Sequence, residues 1–378
     1  MSPAAPAPPD PSSDAEAERF LALAARHACA CGVTRLADVT GLDTIGLPVW
    51  QAVRPAGKAL SVHQGKGATA TAARIGALCE AIESHCAENA PADGPGCRFD
   101  ALPAPARAPH LSDYTRQREA GAKPDEAVQW CVAQELAGGG PFYLPHDLVS
   151  LDFTAQRRSP FDRSSAGLGL GGDSGAAIAV SLLELVERDC VGEWQRRPWP
   201  ARMAEAIDLA TVRYGWFGEW RERLAAQRID LAVFAPAAVV SVPVAICWIG
   251  GGEAFGPAYR SFSGSACHAD PELALFKALA EALQSRLTFI AGVRDDILPS
   301  HYRARGSPIP EALAAAGRPW DGERRFGSGW EAVAAAIAEA GYDRIAVKRL
   351  DRELDGIAVT KAFVPGLGSL RRTRRTAR

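Results

Sequence analysis

Three pairs of polar residues recur at the same spacing in this chain: Glu80 with Glu83, Glu184 with Glu187, and Glu281 with Gln284. Residues three apart share one face of a helix. The runs around them are otherwise apolar, with Ala73, Ile75, Ala77, Leu78, Ala81 and Ile82 at helical period about the first pair. Such helices are predicted to be buried, and buried carboxylates are costly unless a cation neutralises them. A hard metal ion bound through oxygen would do so, and so would arginines. For the second pair, ordinary salt bridges beside Arg188 meet the same need.

Small-residue stretches lead into each helix. Gly65-Lys66-Gly67 precedes the first, Gly167 to Gly175 the second, and Gly264-Ser265-Ala266-Cys267 the third. Read locally, these are glycine loops that let backbone approach a ligand. Lys66 in such a loop resembles a phosphate-contacting lysine, although the G-x-x-x-x-G-K-[ST] spacing is absent and a plain turn also fits. Asp173 or Ser174 is placed to cap the second helix, and Asp270 with Pro271 to open the third.

The elements that must carry these groups are read from periodicity and turn residues. Helices are predicted over 15–31, 71–89, 176–190, 271–291 and 330–340, and from Ile207-Asp208 toward Arg228. Strands are predicted over 46–55, 60–64, 229–234, 239–249, 345–350 and 357–363, with a hairpin turn over 250–258. The fold class is therefore mixed α/β. The 378 residues carry a formal charge of −2, and 47% are hydrophobic, enough for a substantial core. The balanced charge points to neither nucleic acid nor a membrane surface. No apolar run reaches transmembrane length and no export signal opens the chain. Nine scattered cysteines without a framework then read as reduced thiols in the cytoplasm. Residues 1–14 are Pro/Ala/Ser-rich and expected to be disordered, and the basic tail 371–378 to be solvated.

Taken together, Ser61-Val62-His63-Gln64-Gly65-Lys66-Gly67 with Glu80-Ala81-Ile82-Glu83, Gly167-Leu168-Gly169 with Glu184-Leu185-Val186-Glu187-Arg188-Asp189, and Glu281-Ala282-Leu283-Gln284-Ser285-Arg286 with Arg294-Asp295-Asp296 resemble the YcaO domain. The match implies a lead-in subdomain and N-terminal segment over 1–62 and a YcaO domain over 63–378. Arg35 to Thr40, Gly46-Leu47-Pro48-Val49 and Val364-Pro365-Gly366-Leu367 look like the branch associated with TfuA.

The resemblance implies an enzyme dependent on ATP and Mg²⁺ that acts on peptide backbones. In this family a nucleophile adds to an amide carbonyl, ATP phosphorylates the resulting oxygen, and loss of phosphate gives an azoline, amidine or thioamide. By the same token Glu80, Glu83, Glu184 and Glu187 would hold metal. Ser61, Lys66, Gly167, Asp173, Glu281 and Gln284 would contact the nucleotide. Glu187, Arg188 and Arg286 would serve catalysis, the arginines by offsetting phosphate charge. The cysteines are expected to pack rather than attack, because carboxylates beside Cys79, Cys86 and Cys190 disfavour a thiolate.

The chain departs from the family around its central loop, with Ala166, Gly172 and Ala176 where two amides and a carboxylate are usual. Asp173 is a candidate to compensate. The gap at Ala176 predicts weaker Mg²⁺ binding, to be tightened by Ala176→Glu. The Pro-rich C-terminus of azoline-forming members is also missing, which favours the thioamide branch. The expected partners are a peptide or protein substrate and a TfuA-like sulfur-delivery protein, with room for a homodimer. An azoline-forming cyclodehydratase and a degenerate scaffold subunit are the alternatives.

Overall fold

The computed structural model describes residues 5–8, 13–115, 125–154, 159–251, 261–303, 317–322, 326–327, 329–351 and 354–368. Helix α1 (Asp14–Ala30) begins at a reciprocal capping box between Ser13 and Glu16. An antiparallel meander comes next, β1 (Arg35–Asp38), β2 (Val49–Val53) and β3 (Val62–Lys66), in that order. Strand β3 runs into α2 (Ala70–Glu88), which starts where Thr69 accepts from the Ala72 N–H. Because β3 pairs with β2, residues on either side of position 62 belong to one sheet.

The second sheet is larger. It contains β4 (Gly96–Cys97), β5 (Val128–Glu135) and, after β6 (Pro141–Pro145) and the single turn α3 (His146–Val149), β7 (Leu168–Gly171). Helix α4 (Ser174–Arg196) leaves β7, with α5 (Trp199–Met203) and α6 (Gly215–Ala226) after it. The third sheet is β8 (Ile229–Phe234), β9 (Val244–Gly251) and β10 (Ser261–Cys267), and β10 runs into α7 (Pro271–Ala291). Short α8 (Pro299–Arg303) and α9 (Trp330–Glu339) precede β11 (Ala346–Arg349) and β12 (Ala358–Phe363). These last strands return to the second sheet, giving the order β4-β5-β11-β12-β7 with β6 on β5.

The glycine stretches read as loops are strands. Gly65 lies in β3, Gly169 in β7 and Gly264 in β10. Each is the point where the next helix folds back across its own strand. A Cβ at Gly65 would enter the backbone of Ala73 and Ala77, one at Gly169 that of Ala177 and Ser181, and one at Gly264 that of Ala278 and Ala282. Glycine is needed here for close approach of backbone to backbone, not for a turn around a ligand.

Two more expectations change. Of the helix expected from 207 onward only α6 forms, because Ile207 bridges to Arg318 instead. Residues 5–8, expected to be disordered, are packed: the Ala5 N–H donates to the Ala68 carbonyl at 2.8 Å, and the Trp220 indole donates to the Pro6 carbonyl at 2.7 Å. Ala5 joins the core formed by Leu47, Trp216, Phe217 and the faces of β9 and α7. The turn expected over 250–258 falls, apart from its first two residues, outside the described residues, as does the basic tail.

Gly264→Ala is expected to lower folding stability by about 1–3 kcal/mol, since a methyl group must enter helix backbone. Gly41→Ala, with nothing within 4 Å of the added carbon, is the comparison and should change it little. Urea unfolding midpoints of the two variants check this; equal midpoints would remove the close-packing explanation.

Candidate active site

β3, β7 and β10 each lie at the edge of their own sheet. The three edges and the helices α2, α4 and α7 that leave them surround one cavity of about 1430 Å³. Glu80 and Glu83 reach it from α2, Glu184, Glu187 and Arg188 from α4, and Glu281 and Gln284 from α7. Lys66 reaches it from the end of β3. The i, i+3 spacing thus places all three polar pairs on cavity-facing stripes, and the apolar remainder of each helix faces the cores.

Backbone and hydroxyl donors aim the carboxylates. The Gln64 N–H donates to Glu80 Oε2 at 2.7 Å. Glu83 accepts from the backbone of Leu170, and Glu184 from that of Gly167. Ser265 Oγ donates to Glu187 Oε1 at 2.7 Å. Two cations pair with them, Arg188 at 3.3 Å from Glu184 and Lys66 at 3.5 Å from Glu281, and Lys277 and Arg294 also line the cavity.

These partners do not balance the acids. Burial, then the charges of Glu184 and Glu80, push the Glu83 carboxyl up to about 8. Burial and Glu281 push Glu187 up to about 7. Burial also raises Glu80 and Glu184. Arg188 goes the other way: burial would lower its pKa, but Glu184, Glu187 and Glu281 hold it above the usual range. Excess negative charge facing a cavity fits hard divalent cations. Among the described residues no three acidic, histidine or cysteine side chains already converge on one point. That suits Mg²⁺, which takes one or two carboxylates and completes its shell with water and phosphate oxygens.

Four expected residues stand elsewhere. Arg286 is buried on the far face of α7 in an ion pair with Asp43 at 2.9 Å, side chains 3% and 5% exposed, and cannot reach a phosphate in the cavity. Ser61 donates its hydroxyl to Asp295 Oδ1 at 2.9 Å and does not line the cavity. Asp173 is exposed and serves as the N-cap of α4, accepting from the Ala176 N–H at 2.8 Å. Gly167 sits behind the cavity wall at φ +79°, against Leu185 and the Ala362 carbonyl. Ala176 is likewise exposed on the first turn of α4, outside the lining, whereas Val180 one turn later is in it. A glutamate at 176 would therefore start one turn outside the cavity lining.

Other lining groups escaped sequence reasoning. Gln64 alternates with Lys66 along β3 and accepts from the Thr288 hydroxyl. His63 faces Ser84 on one side and Arg54 on the other, and burial together with the Arg54 charge lowers its pKa to about 4. Lys277 is one turn before Glu281, a helical spacing that the sequence does display. The cysteines behave as expected: all nine are free, and burial pushes the thiols of Cys86 and Cys190 up to about 12.

Comparison with known proteins agrees with this geometry. The family profile described as "YcaO cyclodehydratase, ATP-ad Mg2+-binding" matches residues 64–368. A protein encoded in the tfuA 3′ region of Rhizobium leguminosarum bv. trifolii is 31% identical over 356 residues, 89% of this chain and 84% of the relative. Among solved structures, YcaO from Methanopyrus kandleri bound with AMPPCP and Mg²⁺ superposes with a TM-score of 0.68 at 22% identity, covering 93% of this chain and 90% of that one. A heterocyclase in complex with substrate and cofactor gives 0.70 at 20% identity, over 89% of this chain and 50% of that one. The fold is thus the mixed α/β arrangement of these structures.

The raised carboxyls set a pH dependence for the metal-free protein. Glu83 titrates near 4.5 when unfolded and near 8 when folded. The folded state therefore binds more protons between these values, and stability falls as pH rises through that window. In EDTA the melting temperature should fall from about pH 5 to about pH 8, and Glu83→Gln should flatten the slope. Adding Mg²⁺ with an ATP analogue should stabilise most at the upper end. A slope unaffected by Glu83→Gln would contradict the crowding.

Proposed function

We propose that this chain, which belongs to the YcaO family, uses ATP to activate a peptide backbone amide and converts it to a thioamide. The coarser statement holds for the family: it is an ATP-dependent enzyme related to cyclodehydratases, and its cofactors are ATP and Mg²⁺. When bound, these supply the phosphoryl group that turns an amide oxygen into a leaving group, and the positive charge that compensates it.

The observation that carries the reading is the convergence of Glu80, Glu83, Glu184, Glu187 and Glu281 on one cavity. In our reading the two pairs, Glu80 with Glu83 and Glu184 with Glu187, hold Mg²⁺ ions with one or two carboxylates to each, and Leu170, Gly167 and Ser265 fix oxygens of Glu83, Glu184 and Glu187. Lys66 and Arg188 offset phosphate charge. The cysteines nearest the cavity, Cys79, Cys86, Cys190 and Cys267, do not serve as nucleophile, because burial raises their thiols, so sulfur arrives from outside, from a TfuA-like partner. The thioamide product is supported by likeness to the tfuA-region relative and by the lead-in and C-terminal motifs. The family profile's description as a cyclodehydratase keeps azoline formation as the second reading.

Mass spectrometry of a peptide substrate co-expressed with this chain and the TfuA-like partner tests the product. A gain of sulfur for oxygen is expected, whereas loss of water would establish the azoline reading instead. Glu187→Gln should abolish turnover while leaving the melting temperature of the metal-free protein unchanged or higher, because it removes one of the crowded charges. A fully active Glu187→Gln enzyme would remove Glu187 from the metal site.

A further inference from the structure

Exposed apolar side chains gather in one region of this chain. Among the described residues nine large ones are exposed, and five of the nine belong to the cavity or to the segment after α7 that borders it. Phe153, 55% exposed, and Val180 line the cavity itself. Val293, Leu298 and Tyr302 lie on the segment that also supplies the lining residue Ile297. Single exposed apolar residues are ordinary on a protein surface, but a cluster of them marks a place of contact.

The cluster is held by hydrogen bonds. The Phe153 N–H donates to the Lys58 carbonyl at 3.2 Å, and Ser61 donates its hydroxyl to Asp295 at 2.9 Å. These two ties join three stretches of chain, and each stretch contributes an apolar lining residue: Phe153, Leu60 and Ile297. In the same wall Phe289 packs against Phe262 at 5.7 Å and Tyr302 at 4.3 Å, centroid to centroid. The Tyr302 hydroxyl donates to the Phe289 carbonyl at 2.9 Å, which fixes its ring while leaving it 46% exposed.

The charges along this lip are paired with one another. Lys58 meets Asp152 at 3.3 Å, and Arg294 meets Asp296 at 2.6 Å. The lip therefore suits an uncharged, apolar occupant, whereas phosphates belong with the carboxylates and Lys66. A peptide modified at an internal amide continues on both sides of it, so its chain must leave the cavity across exposed wall. A nucleotide has no such need.

We infer that this lip is a specificity subsite for the peptide, taking an apolar, by preference aromatic, side chain beside the amide to be modified. The inference rests on the reading that a peptide backbone amide reacts in this cavity. Phe153 is the principal anchor, since it is the most exposed ring of the lip and covering it removes the most apolar surface from water.

Selection of random peptides displayed on phage, by the full chain with AMPPCP and MgCl₂ present, tests the lip without a known substrate. Enriched sequences should share a position occupied by Phe, Tyr, Leu or Ile. A synthetic peptide of the enriched sequence, followed by fluorescence anisotropy, should bind Phe153→Ser and Ile297→Ser about ten-fold more weakly than wild type. Replacing its shared apolar residue by lysine should weaken binding to the wild-type chain by a similar factor. AMPPCP affinity should be the same for all three proteins, which establishes that the variants fold with the cavity intact. No enrichment, enrichment without a shared apolar position, or unchanged peptide affinity in both variants would overturn the subsite. Loss of TfuA-like partner binding by Phe153→Ser with peptide affinity retained would overturn it in favour of a surface for that partner. A co-expressed peptide still thioamidated by a chain that shows no apolar preference would remove the subsite and leave the proposed function standing. Failure of the wild-type chain to bind AMPPCP would instead overturn the nucleotide reading of the cavity.

Discussion

Like charges gathered around one cavity govern this molecule. Glu80, Glu83, Glu184, Glu187 and Glu281 face a common cavity, and only Glu184 and Glu281 have ion-pair partners among the described residues. Repulsion of this kind is tolerable only while some carboxyls stay protonated or cations are present. The raised pKa values of Glu83 and Glu187 are the first solution, and a bound divalent cation would be the second. An arrangement that is under electrostatic stress when empty and relieved when filled is what a cation-dependent site requires. The backbone donors at Gln64, Leu170 and Gly167 hold the oxygens in place in both conditions.

The stress is sustained because the helices carrying the acids cannot move apart. Each is fixed to its own strand at a glycine, where backbone touches backbone and no side chain intervenes. The strands are in turn the edges of three separate sheets. Edge strands left open invite pairing with other chains, and here the helices and the cavity occupy that position. Further ties run across the cavity's rim. The Arg286–Asp43 pair fastens the back of α7 to the segment between β1 and β2. Thr288, near the end of α7, reaches Gln64, and Asp295, just beyond that helix, reaches Ser61, so β3 and the residue before it are held from one side of the cavity.

Much of the site is legible in the sequence because its signal is local. Two carboxylates three apart on an apolar helix are visible without any tertiary information, and α2, α4, α7 and α9 begin within a few residues of where periodicity and capping residues place them. What the sequence conceals is long-range. Gly65, Gly169 and Gly264 look like loop glycines, since small residues have low strand propensity. Their strand conformation is set by partners such as Trp50, Thr360 and Cys247 elsewhere in the chain. Arg286 lies in a family motif, yet its partner Asp43 is 243 positions away. Ser61 is drawn to Asp295 across 234 positions. Composition marks residues 5–8 as disordered, but the docking of Ala5 and Pro6 depends on a cleft between Ala68 and Trp220 that no local pattern announces.

If the site works as proposed, these carboxylates take up divalent metal together with nucleotide in one cavity. Diffraction from crystals grown with AMPPCP and Mn²⁺ in place of Mg²⁺ tests this most directly, because manganese scatters anomalously and reveals its own position. Anomalous peaks are expected in the space bounded by Glu80, Glu83, Glu184 and Glu187, with phosphate oxygens completing the metal shell. Nucleotide and manganese bound elsewhere on the chain, or nucleotide bound in the cavity with none of these four carboxylates near a metal, would contradict it.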